Sequence, residues 1–128
     1  MPTDALTINE AAEITGWSAR MLRYIERIGL VEPQRSASGY RLYGAAELQR
    51  LRTLRELLDE HDLALGEVGF ALRMGRDRGL AEAVDGWLAA RPSRPDDVPA
   101  HDWLRWEQAK HTRLLATAAP APAPAPTT

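Results

Sequence analysis

Arg20 and Arg23 stand three residues apart, and Tyr24 follows Arg20 by four, so a helix brings the three side chains together on one side. A guanidinium can bond a phosphate, or grip the two acceptors of a guanine edge at once. A tyrosine can donate to a phosphate while its ring packs on a sugar. Ser18, just ahead, is a natural cap for such a helix. A second set follows: Arg35 and Arg41 flank the turn Ser36-Ala37-Ser38-Gly39, with Tyr40 and Tyr43 beside them. Taken separately, each set has an ordinary reading. Arg20, Arg23 and Tyr24 fit a solvated helix face. The wing tyrosines fit a core, with the arginines keeping the surface soluble, and of Tyr40 and Tyr43 one is expected to pack against the helices.

These side chains need elements to hold them. Thr7-Ile8-Asn9-Glu10 has the spacing of a capping box, followed by Ile8, Ala11, Ala12 and Ile14 as a short apolar face. Gly16 should end that helix. Ser18 should start the next, with Met21 or Leu22, Ile25 and Ile28 facing the core and Gly29 closing it. A hairpin is expected from about Val31 to Tyr43, turning at residues 36–39. Leu48, Leu51, Leu54, Leu57 and Leu58 mark a third helix over Ala45 to Glu60, broken at His61-Asp62. A fourth is expected over Gly66 to Met74, offering Val68, Phe70, Ala71 and Leu72 for burial. Another is expected over Leu80 to Ala90, with Leu80, Val84, Trp87 and Leu88 on one side. A linker at Arg91-Pro92-Ser93-Arg94-Pro95 precedes a last helix from about Asp102 to Ala118. The fold class is therefore mostly α with a small two-stranded β wing: a winged helix-turn-helix followed by short C-terminal helices. The expected division is residues 1–75 as the winged unit, 76–118 as a helical extension and 119–128 as a disordered Ala/Pro tail.

The bulk properties fit a small folded chain: 128 residues, 45% hydrophobic and 27% charged, with a net charge of -2. The charge is unevenly spread. From Ser18 to Arg55 there are eight arginines against three acids, a local excess of five positive charges, so the remainder carries seven more acids than bases. A basic face inside an acidic protein can still bind phosphate, while the acidic part discourages adhesion elsewhere. The absence of cysteine removes disulfides, Fe–S clusters and thiolate metal sites. His61, His101 and His111 are scattered, so no metal site and no cofactor is expected. With no signal peptide and no long apolar run, the chain is expected to be soluble and cytoplasmic, with no membrane partner. No P-loop, nucleophile elbow, HExxH or paired-carboxylate motif occurs, and an enzyme is not expected.

The joined pattern is more specific than its parts. Thr-Ile-Asn-Glu-Ala-Ala-Glu-Ile-Thr-Gly-Trp-Ser-Ala-Arg-Met-Leu-Arg-Tyr, then Ile-Gly-Leu-Val-Glu-Pro-Gln-Arg, then Gly-Tyr-Arg-Leu-Tyr, resembles the DNA-binding domain of MerR-family transcription regulators over about Leu6 to Met74. The resemblance implies a homodimer that binds an inverted repeat in double-stranded promoter DNA and distorts it, with RNA polymerase as a further partner. It implies DNA contacts from Ser18, Arg20, Arg23 and Tyr24 on the recognition helix and from Arg35, Gly39, Tyr40 and Arg41 in the wing. The chain departs from the family pattern at Met21, where Thr is frequent, at Ile25, where a second Tyr is frequent, and at Ala64, where Ser or Thr is usual and Asp62 could cap instead.

With about 45 residues between Met74 and the Ala-Pro tail, no separate ligand-binding domain is expected. A stripe through Leu104, Gln108, His111 and Leu115 could face a second chain or pack back on its own domain; both readings stand. Trp87, Trp103 and Trp106 could line a pocket for a small-molecule effector, although aromatics at helical spacing usually form core. Arg50, Arg52 and Arg55 read as a solvated helix face. Two other functions compete with regulation: an architectural or excisionase-like DNA-bending protein, and a protein-interaction module docking a transcription partner.

Overall fold

A computed structural model describes residues 5–63 and 67–118, without the side chains of 64–68, 117 and 118. Helix α1 (Ile8–Thr15) begins at the expected capping box: the Thr7 hydroxyl accepts from the Glu10 amide at 3.2 Å, and the Glu10 carboxylate accepts from the Thr7 amide at 2.9 Å. Gly16 ends it in the left-handed region at φ 80°. After Trp17, Ser18 caps α2 (Ala19–Arg27), its hydroxyl accepting from the Met21 amide at 3.0 Å.

The wing is shorter than the expected hairpin. Strands β1 (Gln34–Arg35) and β2 (Arg41–Leu42) pair antiparallel, Gln34 opposite Leu42 and Arg35 opposite Arg41. Pro33 has no amide hydrogen for the ladder, which bounds β1. At the other arm, Tyr43 turns to a different partner. It exchanges two backbone hydrogen bonds with Leu6, both 2.8 Å, so the segment entering α1 lies along the end of the wing.

Helix α3 (Ala45–Glu60) starts where the Gly44 amide donates to the Glu47 carboxylate at 2.8 Å. Its five spaced leucines, 48, 51, 54, 57 and 58, are all buried. They meet Leu22, Ile25, Leu30 and Val31 from the winged unit, together with Phe70, Leu80 and Val84 from α4 (Glu67–Arg76) and α5 (Arg78–Ala89). Asp77 caps α5 through the Leu80 amide at 3.0 Å. Two residues expected to be buried here are exposed, Ala71 and Leu72 on α4. Val68 and the Ala64 cap position lie outside the described side chains, and the expected disorder of 119–128 lies outside the described residues.

A 3-10 turn (Ala100–Asp102) leads into α6 (Trp103–Ala118), which packs on α3 and α1. Within the chain this helix packs back on its own domain, as one of the two readings has it. Three arginines of α3 correct the reading of that face as solvated, and one of them, Arg52, ties α6 down. Arg50 donates to the Trp87 and Ala90 carbonyls, both at 2.7 Å, and lies 4.1 Å from the Trp87 ring centre, closing the end of α5. Arg52 donates to the fully buried Glu107 of α6 at 2.9 Å. Arg55 donates to the Thr15 carbonyl at 2.6 Å and stacks 4.3 Å from Trp17. Guanidinium groups suit these roles because each satisfies carbonyls or carboxylates, orphaned at helix ends or buried, while packing a flat face on an aromatic ring.

Glu107 also accepts from the Trp103 indole at 3.1 Å and the Gln49 amide at 3.3 Å, which offsets the desolvation of its charge. Trp87 donates its indole N–H to Thr53 at 2.8 Å. Trp106 lies between Arg52 and Lys110. The three tryptophans thus serve the α3–α5 and α3–α6 junctions. The expected linker is itself anchored: Ser93 and the Gln49 side chain exchange hydrogen bonds of 2.7 and 2.6 Å. Arg94 donates to the Val98 carbonyl, and the Val98 side chain is buried.

Candidate nucleic-acid interface

Helix α2 buries a stripe of Met21, Leu22, Tyr24 and Ile25 and leaves Arg20 and Arg23 exposed. That separation follows from a 3.6-residue period: the arginines occupy the side the core does not need. Ser18 is exposed, with its hydroxyl engaged as the cap. Ile28, expected in the core, is 40% exposed because α2 stops at Arg27 and Ile28 becomes the C-cap.

Tyr24 departs from its expected place. It is only 7% exposed, and its ring belongs to the core with Arg27 5.4 Å from the ring centre. Its spacing from Arg20 suits a shared polar face, but its spacing from Met21 equally suits the buried stripe, and hydrophobic burial of a large ring outweighs a surface contact.

The wing tyrosines divide as expected. Tyr43 is 1% exposed and Tyr40 is 72% exposed. Tyr40 stands just after the turn, where the Ser36 hydroxyl accepts from the amides of Ser38 and Tyr40 at 3.2 and 3.0 Å. Gly39, at φ 88°, completes this turn. The Tyr43 hydroxyl has no hydrogen-bond partner among the described residues, and burial, aided by the nearby Glu26 charge, pushes its pKa up to about 12. Arg41, Arg35 and Arg23 oppose that shift through their charges. Helix α2 and the wing thus contribute three predicted site arginines whose charges act on one buried phenol.

Glu26 was not among the expected site residues. Its carboxylate accepts from Arg35 at 2.7 Å and from Arg41 at 2.6 Å, one oxygen for each. Burial alone would raise its pKa, but the hydrogen bonds and charges of Arg41 and Arg35 outweigh this and hold it below the usual carboxylate value. The partners lie nine and fifteen residues away, so no local spacing marks Glu26 out. The resulting surface presents exposed arginines at the start of one helix beside a basic hairpin of fixed geometry, an arrangement suited to polyanion binding with groove access.

The comparisons agree with this geometry. The MerR HTH family of regulatory proteins matches residues 6–74. The chain is 41% identical over 90 residues to the HTH-type transcriptional regulator PA4778 of Pseudomonas aeruginosa, covering 70% of this chain and 67% of that one. It is 37% identical over 79 residues to the HTH-type transcriptional regulator HmrR of Sinorhizobium medicae, covering 61% of this chain. The chain spans 53% of HmrR, about half its length. A longer and weaker likeness joins it to the heat shock protein HspR of Streptomyces coelicolor, 27% identical over 129 residues, covering 92% of this chain and 85% of that protein. The winged unit, its exposed helix arginines and the family match over 6–74 place the chain in the MerR family of HTH-type regulators.

Proposed function

We propose that the chain is a sequence-specific DNA-binding transcription regulator that acts as a homodimer on an inverted repeat in promoter DNA, with RNA polymerase as the partner whose initiation it changes. The observation that carries this reading is the exposure of Arg20 and Arg23 at the start of α2, beside a wing whose Arg35 and Arg41 are held at that helix by Glu26. In it, Arg20 and Arg23 enter the major groove, while Arg41, Arg35 and the exposed Tyr40 meet the backbone. Ser18 contributes by fixing the helix start and Gly39 by shaping the turn. Tyr24 contributes mainly by setting the depth at which α2 sits on the core.

The same reading assigns residues 1–75 to DNA binding and 76–118 to bracing that unit through α5 and α6. Helix α6 turns Arg105, Ala109, Thr112, Arg113 and Ala116 outward, a polar and small-residue face unlike the apolar seam of a coiled coil. Dimerisation is accordingly assigned to a surface other than an α6 heptad.

The test is equilibrium binding to an operator and to its single-base variants. Loss of Arg20 or Arg23, where it reads a base, should remove about 1–3 kcal/mol of discrimination at that position. Loss of Arg41 should weaken all sequences alike. Equal loss of specificity in every variant contradicts this division of labour.

A further inference from the structure

Arg35 and Arg41 face each other directly across the wing. Like charges in that position destabilise a two-stranded hairpin unless something neutralises them. Glu26 does so from the recognition helix, but it holds the two arginines differently. Arg41 uses only its Nε, at 2.6 Å, and its terminal nitrogens make no hydrogen bond among the described residues. Arg35 uses both terminal nitrogens, one on Glu26 at 2.7 Å and one on the Gly39 carbonyl at 3.3 Å. It is also the more exposed of the two, with 45% of its side chain accessible against 28% for Arg41.

We propose that Glu26 is a built-in phosphate surrogate: it holds Arg35 in the free protein and yields it to a DNA backbone phosphate on binding, while keeping Arg41 oriented. The exchange rests on the DNA-binding reading above and assigns Glu26 a role that needs no contact with DNA. A carboxylate with one cation would be left uncompensated at a desolvating interface by such a transfer, and that is costly. Glu26 has two cations and remains paired after losing one. A phosphate offers Arg35 the same charge-assisted hydrogen bonding that the carboxylate provided, so the exchange is nearly balanced. Arg41, gripped at Nε, meanwhile keeps terminal nitrogens that make no hydrogen bond among the described residues. Glu26 is thus a positioning residue for Arg41 and a competitor for Arg35.

The full chain is titrated with a short mixed-sequence duplex over a salt series, as wild type, Glu26→Gln, Arg35→Ala and the double variant. A glutamine keeps one acceptor for the arginines but removes the competing charge. Glu26→Gln should bind more tightly by roughly two- to fivefold, the scale of one exposed ion pair that no longer has to be broken. Arg35→Ala should lower the slope of log affinity against log salt by about 0.9, the signature of one lost phosphate contact. The gain from Glu26→Gln should disappear when Arg35 is already alanine. The exchange is overturned if Glu26→Gln weakens binding, or if Arg35→Ala leaves the slope unchanged while the wild type binds. The slope of Arg35→Ala keeps the test intact should Glu26→Gln fold poorly. A wild-type chain that binds no duplex at low salt overturns the DNA-binding reading and the exchange together.

Discussion

A Cβ built on Gly16 would stand 2.9 Å from Leu115 Cδ2, so the last helix closes directly over the turn between α1 and α2. The turn of the winged unit and the C-terminal helix are therefore one packing unit. Gly16 has two reasons to be glycine, its φ of 80° and this approach. Gly16→Ala is expected to lower stability in urea unfolding by about 1–2 kcal/mol, the cost of a side chain in the left-handed region. Leu115→Ala in the same chain should relieve the contact but not the backbone strain. A Gly16→Ala variant as stable as wild type would show that the turn adapts.

Arg55 joins the same turn from the other side. Replacing it with lysine keeps the charge but loses the flat face on Trp17 and the guanidinium geometry at the Thr15 carbonyl. A loss of about 1–3 kcal/mol is expected, the scale of leaving a buried polar group without its partner. Because Arg55 is tied up within the fold, the salt dependence of DNA binding should stay as in wild type. A lower salt slope in Arg55→Lys or Arg55→Ala would instead make Arg55 a phosphate ligand.

The Arg52–Glu107 pair is the main polar attachment of α6 to α3. Glu107→Ala would leave the largely buried Arg52 with only Glu56, 3.3 Å from its Nη1, and a loss of about 1.5–3 kcal/mol is expected in chemical unfolding. Amide exchange should quicken first in α6. Unchanged exchange there would contradict the attachment.

The buried His111 gives α6 a pH dependence. Its Nε2 is 2.7 Å from the Leu48 carbonyl, which can only accept, so the proton sits on Nε2, and Nδ1 is buried without a partner among the described residues. Burial lowers its pKa below the ordinary 6.5; the Leu48 carbonyl and Glu107 act upward, Arg52 and Arg55 downward. The unfolded chain therefore binds the proton first as pH falls. Stability is full above about 6.5 and declines as pH drops from there through the lower folded value. Glu26, whose pKa is also lowered, adds a separate loss below about 4.5. Unfolding free energies measured from pH 8 to 5 should fall for wild type and flatten in His111→Phe. An equal slope in both would remove His111 as the cause.

The parts of this fold readable from sequence are those governed by near neighbours. The Thr7–Glu10 box, the Ser18 cap, the left-handed Gly16 and Gly39, and the leucine period of α3 are set within a few residues and stand as expected. The family pattern over 6–74 rests on the same local signals. What sequence could not reveal depends on distant partners. Arg50, Arg52 and Arg55 look like a solvated face until α5, α6 and Thr15 arrive, 37, 55 and 40 residues away. Tyr24 fits both a polar face and a core stripe by spacing, and only packing decides. Glu26 looked like one acid diluting a basic region, whereas the wing folds its two arginines onto it.

The most direct test of the central claim is selection of bound DNA from a random or genomic library at moderate salt, using the purified chain and an Arg20→Ala, Arg23→Ala double variant in parallel. The account predicts an enriched inverted-repeat site that the double variant fails to recover. No enriched site, or equal recovery by the variant, would contradict a sequence-reading role for α2.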